Sequence, residues 1–210
     1  MTTGPAHLVA SGYDQIADAY LARFGVSAVR AKWLGLLMAK MPAQGHVLDL
    51  GCGAGIPVAR ELGGRGFSVV GVDVSSEQIM RARANVPAAT FIQADMSDVA
   101  FDQAQFDGIG AFYAITHVPA TDQGDLFTRI AGWLKPGGVL VASLGTGEAG
   151  DWIGDWLGTT MFFSHNSEAT SLALLRDAGL VVEQAKVEQQ DNEQASFLWI
   201  VAVKPPPTAI

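Results

Sequence analysis

The chain has 210 residues, of which 49% are hydrophobic, and a formal net charge of −8. This length is sufficient for one hydrophobic core of ordinary size, and the apolar content excludes a largely disordered chain. No apolar run reaches the length of a membrane span, and no Lys/Arg run forms the basic face typical of nucleic-acid binding. The lone Cys52 excludes an intrachain disulfide, and the first residues carry no secretory signal pattern. We therefore expect a cytoplasmic protein, monomeric or homodimeric, that binds neither membranes nor nucleic acid.

Helical periodicity comes first along the chain. Residues 13–41 predict two helices, because apolar side chains recur three and four residues apart until Pro42 ends the pattern. An alternation of strands and helices follows, with the predicted strands at 46–50, 67–73, 89–95, 106–115 and 138–145 and the predicted helices at 56–65, 75–86 and 121–134. Ser75 is the predicted N-cap of the helix at 75–86. Near-continuous apolar strands that alternate with helices predict an α/β fold, a doubly wound parallel sheet covered on both faces.

Residues 147–166 interrupt this alternation. The segment interleaves Trp152, Trp156 and two phenylalanines with glycines, which favours a mobile, lid-like insert over an apolar substrate, with a packing flap as the alternative. A helix at 167–178 and two final strands at 180–188 and 196–204 are predicted after it. Those two strands must pair antiparallel, because no long crossover separates them.

The stretch "VLDLGCGAG", residues 47–55, is the strongest candidate for a binding loop. A glycine loop between a strand and a helix presents backbone N–H groups and the positive helix end to a negatively charged group. The third glycine of the dinucleotide-binding pattern is missing, since Ile56 occupies its place. Asp73 ends the second strand 22 residues after Gly51 and suits a ribose diol, although NAD sites use the same device.

Six stretches occur in the order typical of one enzyme family. They are "YDQIADAY" (13–20), "VLDLGCGAG" (47–55), "VVGVDVS" (69–75), "QADM" (93–96), "FDGIGAFYAITHV" (106–118) and "WLKPGGVLVAS" (133–143). With these, the chain resembles the class I S-adenosylmethionine-dependent methyltransferases of the small-molecule type. The resemblance implies a Rossmann-like, seven-stranded, mostly parallel sheet in the order 3-2-1-4-5-7-6, with an antiparallel last strand.

The expected organisation is a single methyltransferase domain over residues 1–210. Its segments are an N-terminal helical cap (1–42), a cofactor-binding core (45–146), the lid-like insert (147–166) and a C-terminal helix with a hairpin (167–204).

The resemblance also implies S-adenosyl-L-methionine as the cofactor and a role for each matching residue. The implied contacts are Gly51 and Gly53 around the methionine portion, Asp73 on the ribose, Val74, Asp95 and Met96 at the adenine, Ala111 and Phe112 along the sulfonium, and Tyr13 and Tyr20 over the carboxylate and methyl end. Asp49, which precedes the glycines, is also an expected cofactor-binding residue.

The acceptor site is expected where the fourth strand ends. His117 lies there and is the candidate catalytic residue, as a general base, although it could equally bond the loop backbone. The candidate acceptor-binding residues are Tyr13, His117, Trp152, Trp156, Phe162 and His165. His165 could instead cap the helix at 167. No His, Cys, Asp or Glu cluster has metal-ligand spacing, so no metal is predicted.

These features together predict methyl transfer to oxygen or nitrogen of a small, partly apolar molecule. One alternative is an NAD(P)-dependent oxidoreductase, and another is a non-catalytic regulator that binds S-adenosylmethionine. A nucleic-acid methyltransferase is disfavoured by the charge and by the residues "FYAITHVP" at 112–119, which lack an Asn/Asp-Pro-Pro-aromatic segment.

Overall fold

The structure is a computed structural model that describes residues 4–191 and 193–206. Over these residues the chain forms six α-helices: α1 Pro5–Phe24, α2 Ala28–Lys40, α3 Val58–Gly64, α4 Ser76–Asn85, α5 Gln123–Trp133 and α6 Glu168–Asp177. The same residues form nine strands: β1 His46–Leu50, β2 Ser68–Asp73, β3 Thr90–Gln93, β4 Phe106–Ala111, β5 Leu134–Leu144, β6 Gly150–Trp156, β7 Thr159–His165, β8 Val181–Gln189 and β9 Ser196–Val203. In this part of the chain no helix is both long and apolar enough to cross a membrane.

Seven strands form one sheet in the order β3-β2-β1-β4-β5-β9-β8. The first five are mutually parallel, and β9 runs antiparallel to both of its neighbours. Strands β6 and β7 pair only with each other among the described strands. When that pair is set aside, the order is the predicted 3-2-1-4-5-7-6, and the predicted fold class is confirmed.

Helices cover both faces of the sheet. Successive strand residues point to opposite sides and therefore pack against different helices. Val47 of β1 packs in a core with Trp33 of α2 and Leu62 of α3. The next residue, Leu48, packs in the opposite core with Phe127 of α5. This packing sets the strand register and brings the carboxyl ends of β1, β2 and β4 to one edge of the sheet.

The insert at 147–166 is a regular antiparallel hairpin rather than a glycine-interrupted loop. Strands β6 and β7 pair from Gly150–His165 to Trp156–Thr159. The two residues of the turn, Leu157 and Gly158, have φ of 54° and 84°, which is the geometry of a type I′ turn. Composition did not predict these strands, since a Leu-Gly turn lacks the Asn or Asp that usually marks such a hairpin.

Helix α1 and the hairpin together cover the carboxyl edge of the sheet. Ile16 packs against Phe162 of β7, and a Cβ at Gly12 would lie 2.7 Å from the Met161 Cε, so the two elements approach closely. Asp14 of α1 also accepts hydrogen bonds from the hydroxyl of Ser75 and other groups at the start of α4. These hydrogen bonds between α1 and α4 thus hold α1 over the sheet.

Candidate active site

Three adjoining cavities lie under α1 at the carboxyl ends of the strands. The central cavity, of about 730 Å³, is lined by Asp73, Asp95 and His117 among others. The glycine-loop cavity, of about 470 Å³, contains Asp49 and the backbone of the loop at 51–54. The aromatic cavity, of about 830 Å³, lies on the hairpin side.

The glycine loop brings its backbone close to other chain segments. Gly51, Gly53 and Gly55 have φ of 73°, 51° and 73°, a region that residues with a Cβ rarely adopt. A Cβ at Gly51 would also lie 2.3 Å from the Cβ of Ala114. Glycine is therefore required at this position by both the backbone conformation and the space available.

Asp73 joins the glycine loop to the start of α4. Its Oδ2 accepts a hydrogen bond from Gly53 N at 2.9 Å, and its Oδ1 accepts one from Ser75 N at 2.9 Å. Burial is the main reason why the pKa of Asp73 rises to about 6. The predicted N-cap is confirmed, because the Ser75 hydroxyl accepts from Gln78 N at 3.1 Å.

Asp49 and Arg30 bring buried polar atoms without partners to the glycine-loop cavity. Asp49 is 2% exposed, and its Oδ2 has no hydrogen-bond partner among the described residues. Burial, followed by the negative charge of Asp73, raises the pKa of Asp49 to about 7. Arg30 is 5% exposed and donates through Nη2 to the carbonyls of Phe24 and Gly25, but its Nε has no partner in the part of the chain that the structure describes. Buried polar atoms without partners are rare, which indicates a polar ligand at this place.

His117 is held in one tautomer by its two neighbours. Its Nδ1 lies 2.8 Å from the carbonyl oxygen of Phe162, and its Nε2 lies 2.9 Å from the hydroxyl oxygen of Tyr13. A carbonyl only accepts, so Nδ1 carries the proton and Nε2 accepts from Tyr13. Burial lowers the pKa of His117 to about 4, so the imidazole is neutral at pH 7.

Three tyrosines separate the central cavity from the aromatic cavity. Tyr13, Tyr20 and Tyr113 line both spaces. Trp156 and His165 line the aromatic cavity on the far side. A group that passes from one cavity to the other must therefore pass between tyrosine side chains.

Most of the predicted cofactor-binding residues converge on one space. The central cavity is lined by Tyr13, Tyr20, Gly51, Gly53, Asp73, Val74, Asp95, Met96 and Phe112. Asp49 lines the glycine-loop cavity instead. Ala111 lines none of the three cavities, because its side chain is fully buried within the sheet.

Only some of the predicted acceptor-binding residues line a cavity. Tyr13, His117, Trp156 and His165 line the central or the aromatic cavity. Trp152 lines neither and is 46% exposed on the outer part of the hairpin. Phe162 is buried against α1, and only its carbonyl reaches His117. His165 does not cap α6, since Ser167 accepts from Thr170 N there.

Sequence reasoning did not single out Arg30, Gln78 or Tyr113. For Arg30 a signal was present, because it occupies an apolar-face position of α2 at helical spacing from Trp33 and Leu37. A cation at such a position is buried only if it finds partners inside the protein. Gln78 and Tyr113 carried no comparable signal.

Comparison with known proteins identifies the family. A family model described as "Methyltransferase domain" matches residues 47–138. An uncharacterized methyltransferase of Synechocystis sp. is 30% identical over 149 residues, which make up 70% of this chain and 68% of that protein. The chain belongs to the class I S-adenosylmethionine-dependent methyltransferases. S-adenosyl-L-methionine is therefore its cofactor, and the alternative of an NAD(P)-dependent oxidoreductase is wrong.

Two further methyltransferases show how far the similarity extends. The O-methyltransferase cnsE of Penicillium expansum is 37% identical over 107 residues, but the match spans only 48% of this chain and 38% of that protein. The 1,6-didemethyltoxoflavin-N1-methyltransferase of Burkholderia thailandensis, solved with 1,6-didemethyltoxoflavin and S-adenosylhomocysteine, superposes with a TM-score of 0.73 at 20% identity. That match covers 93% of this chain and 84% of the other, and shows a common fold.

Proposed function

We propose that this methyltransferase transfers the methyl group of S-adenosylmethionine to oxygen or nitrogen of a small, partly apolar acceptor. The cofactor would occupy the central and glycine-loop cavities, and the acceptor would occupy the aromatic cavity. The observation that carries this proposal is the wall of Tyr13, Tyr20 and Tyr113 shared by the central and aromatic cavities. Methyl transfer needs a donor and an acceptor in contact through one opening, and these cavities adjoin there.

The unpaired polar atoms fit the amino-acid end of the cofactor. The Asp49 carboxyl would accept from the amino group, and the Arg30 guanidinium would donate to the carboxylate, since both carry buried atoms without partners. Gln78 lines both cofactor cavities and also has a buried, unpaired Nε2. The cofactor would thus provide partners for three buried polar atoms that have none among the described residues.

Asp73 and Asp95 fit the nucleoside end. Each oxygen of Asp73 accepts one backbone hydrogen bond and keeps a lone pair with which to accept from a ribose hydroxyl. Asp95 accepts from Ser97 N through Oδ1 at 2.8 Å, which leaves Oδ2 for the adenine amino group. Met96 and Val74 line the same cavity and offer apolar contact to the base.

Bound S-adenosylmethionine supplies an electrophilic methyl carbon on a positively charged sulfur. The chain's contribution is to align the acceptor with that carbon and to remove its proton. The proton would pass from the acceptor O–H or N–H to the Tyr13 hydroxyl as the hydroxyl gives its own proton to His117 Nε2. The methyl group supplied by the cofactor would take the place of that proton on the acceptor, and the electron pair of the broken carbon–sulfur bond would remain on sulfur. His117 afterwards returns the proton to solvent.

Calorimetric titration with S-adenosylhomocysteine tests the cofactor part. We expect the wild type to bind it and Asp73→Ala to lose on the order of 100-fold in affinity, because two hydrogen bonds to a carboxylate are removed. Asp95→Ala should also bind more weakly. Asp98→Ala is the matched control, since Asp98 is an exposed acid that lies outside the three cavities.

Circular dichroism of each variant shows that a loss of binding does not reflect unfolding. If Asp73→Ala proves unstable, Asp95→Ala decides, because its carboxylate makes one local backbone contact. Unaltered affinity in Asp95→Ala, with Asp98→Ala equal to the wild type, would place the adenine elsewhere. Absence of any binding by the folded wild type would overturn the assignment of these cavities.

A further inference from the structure

We infer that the aromatic cavity takes a flat, uncharged aromatic molecule and that the acceptor belongs to this class. This inference rests on the proposed function, because it names the acceptor of the same site. It comes from the composition of the lining, the arrangement of its rings and its charge.

The apolar lining of this cavity is almost entirely aromatic. Besides the three shared tyrosines it includes Phe24, Trp156, Phe163 and Phe197. Among the described residues that line it there is no Leu, Ile, Val or Met, and Ala195 is the one aliphatic side chain. An aliphatic acceptor would find few branched or flexible side chains to pack against. A flat ring would find faces and edges of other rings, which favour aromatic pairs by about 0.5–1.5 kcal/mol beyond area burial.

Trp156 is the centre of this ring arrangement. Its ring lies 6.0 Å from that of Tyr13 and 5.4 Å from that of Phe163, at steep interplanar angles. It also stacks on Phe24 with centroids 5.9 Å apart and an interplanar angle of 8°. Contacts on several sides fix the orientation of the indole, so the cavity wall is formed before any ligand binds and little side-chain entropy remains to be lost.

The lining of the aromatic cavity carries little net charge, which suits an uncharged acceptor. Among the described residues in its lining there is no Lys or Arg, and Glu193 is the one carboxylate. Arg23 pairs with Glu193 at 2.6 Å, so the charge of this acid is largely balanced and attracts neither a cation nor an anion strongly. The polar side chains that remain include Thr116, Thr146 and Ser196, whose hydroxyls suit an uncharged ligand with hydroxyl or ring-nitrogen groups.

The hairpin contains a matched pair of tryptophans for the test. Trp156 lines the aromatic cavity, whereas Trp152 on the same strand lies outside it with 46% of its surface exposed. Leucine at either position retains apolar bulk but removes the ring. Trp156→Leu should therefore alter the recognition of aromatic ligands, and Trp152→Leu should not.

The probes are benzyl alcohol, cyclohexylmethanol and benzoate, which are similar in size and differ in aromaticity or charge. Their dissociation constants are measured by saturation-transfer NMR titration on wild type, Trp156→Leu and Trp152→Leu, each loaded with S-adenosylhomocysteine. We expect benzyl alcohol to bind about fivefold more tightly than cyclohexylmethanol, the equivalent of one aromatic contact, and more tightly than benzoate, because no Lys or Arg lines the cavity to compensate a buried carboxylate. Trp156→Leu should remove the preference over cyclohexylmethanol, and Trp152→Leu should keep it.

The outcomes separate the two proposals. If S-adenosylhomocysteine binds but the wild type shows no preference for benzyl alcohol, or binds none of the probes, the aromatic class is wrong and the cofactor assignment stands. The inference is also overturned if the preference survives in Trp156→Leu. If the folded wild type does not bind S-adenosylhomocysteine, the proposed function fails, and the acceptor class fails with it.

Discussion

The hydroxyl of Tyr13 donates a hydrogen bond to Nε2 of His117 across 2.9 Å, although the two residues are 104 positions apart in the chain. The carbonyl of Phe162 fixes the other ring nitrogen as the protonated one. A tyrosine from α1, a histidine from the segment after β4 and a carbonyl from the hairpin therefore form one chain of hydrogen bonds. This chain ends at the wall between the central and aromatic cavities, where Tyr13 lines both.

The first prediction concerns the protonation of His117. Long-range nitrogen–proton NMR should show the Nδ1–H tautomer at pH 7, with His117→Gln used to assign the signal. A titration should give a pKa of about 4, because burial disfavours the imidazolium. Tyr13→Phe should shift the Nε2 resonance, since its donor is lost, and should leave the tautomer unchanged. An Nε2–H tautomer in the wild type would remove His117 as a proton acceptor.

The second prediction concerns stability at low pH. The folded-state pKa of His117, about 4, lies below the ordinary value of 6.5, so below pH 6.5 the unfolded chain binds a proton that the folded chain does not. The contribution of His117 to the free energy of unfolding is therefore present above pH 6.5 and is lost as the pH falls toward 4. At pH 5 the loss should be on the order of 1–2 kcal/mol.

Urea unfolding of wild type and His117→Gln at pH 7.5 and 5 isolates this contribution. Relative to the wild type, the free energy of unfolding of His117→Gln should be higher at pH 5 than at pH 7.5 by that amount. Other groups titrate equally in both proteins and cancel. A difference that is independent of pH would mean that His117 is protonated as readily in the folded state as in the unfolded state.

The third prediction is that Asp49→Asn stabilises the cofactor-free protein. The raised pKa of Asp49, about 7, means that its carboxylate is unfavourable in the folded state, so stability is lost as the pH rises from about 4 through 7. At pH 8 the variant should be more stable by on the order of 1–3 kcal/mol, and the gain should shrink at pH 5. Affinity for S-adenosylhomocysteine should fall, because the charge that would meet its amino group is gone.

Asp107→Asn is the control, because its effect on the free energy of unfolding should have the opposite sign. Asp107 accepts from His46 N and from Lys135 Nζ, each at 2.8 Å, and these partners hold its pKa below the usual range. Its neutralisation should therefore destabilise the protein at pH 8. Urea unfolding at pH 8 and 5 measures both variants, and a loss of stability in Asp49→Asn at pH 8 would contradict the prediction.

The fourth prediction compares two glycines. Gly51→Ala should cost about 2–4 kcal/mol in the free energy of unfolding, because φ is 73° and the new Cβ would overlap Ala114. Gly35→Ala, within α2, should instead add about 0.5–1 kcal/mol, since a Cβ there meets nothing within 4 Å and alanine favours the helix. Thermal unfolding measures both. A Gly51→Ala protein as stable as the wild type would show that the loop can relax away from Ala114.

The parallel sheet and its binding edge could be predicted because their signals are local. Apolar runs such as 46–50 and 67–73 identify buried strands, and the glycines of the loop mark a turn that other residues adopt poorly. In a doubly wound sheet the carboxyl ends of the strands share one edge, so Asp73 and Asp95 follow directly as neighbours. The hairpin was missed because glycines interrupt its apolar alternation and its Leu-Gly turn is uncommon.

The sequence by itself determined the class of fold, because strand and helix periodicity and turn chemistry are local, and its motifs carried the resemblance that implied the family and the strand order. Only the tertiary structure decided which side chains meet. The pairing of Tyr13 with His117, the burial of Arg30 beside the glycine loop and the separation of Trp156 from Trp152 depend on how α1, α2 and the hairpin pack. Packing joins elements that are distant in the chain, so even the apolar-face position of Arg30 in α2 indicates burial without indicating which groups the side chain meets.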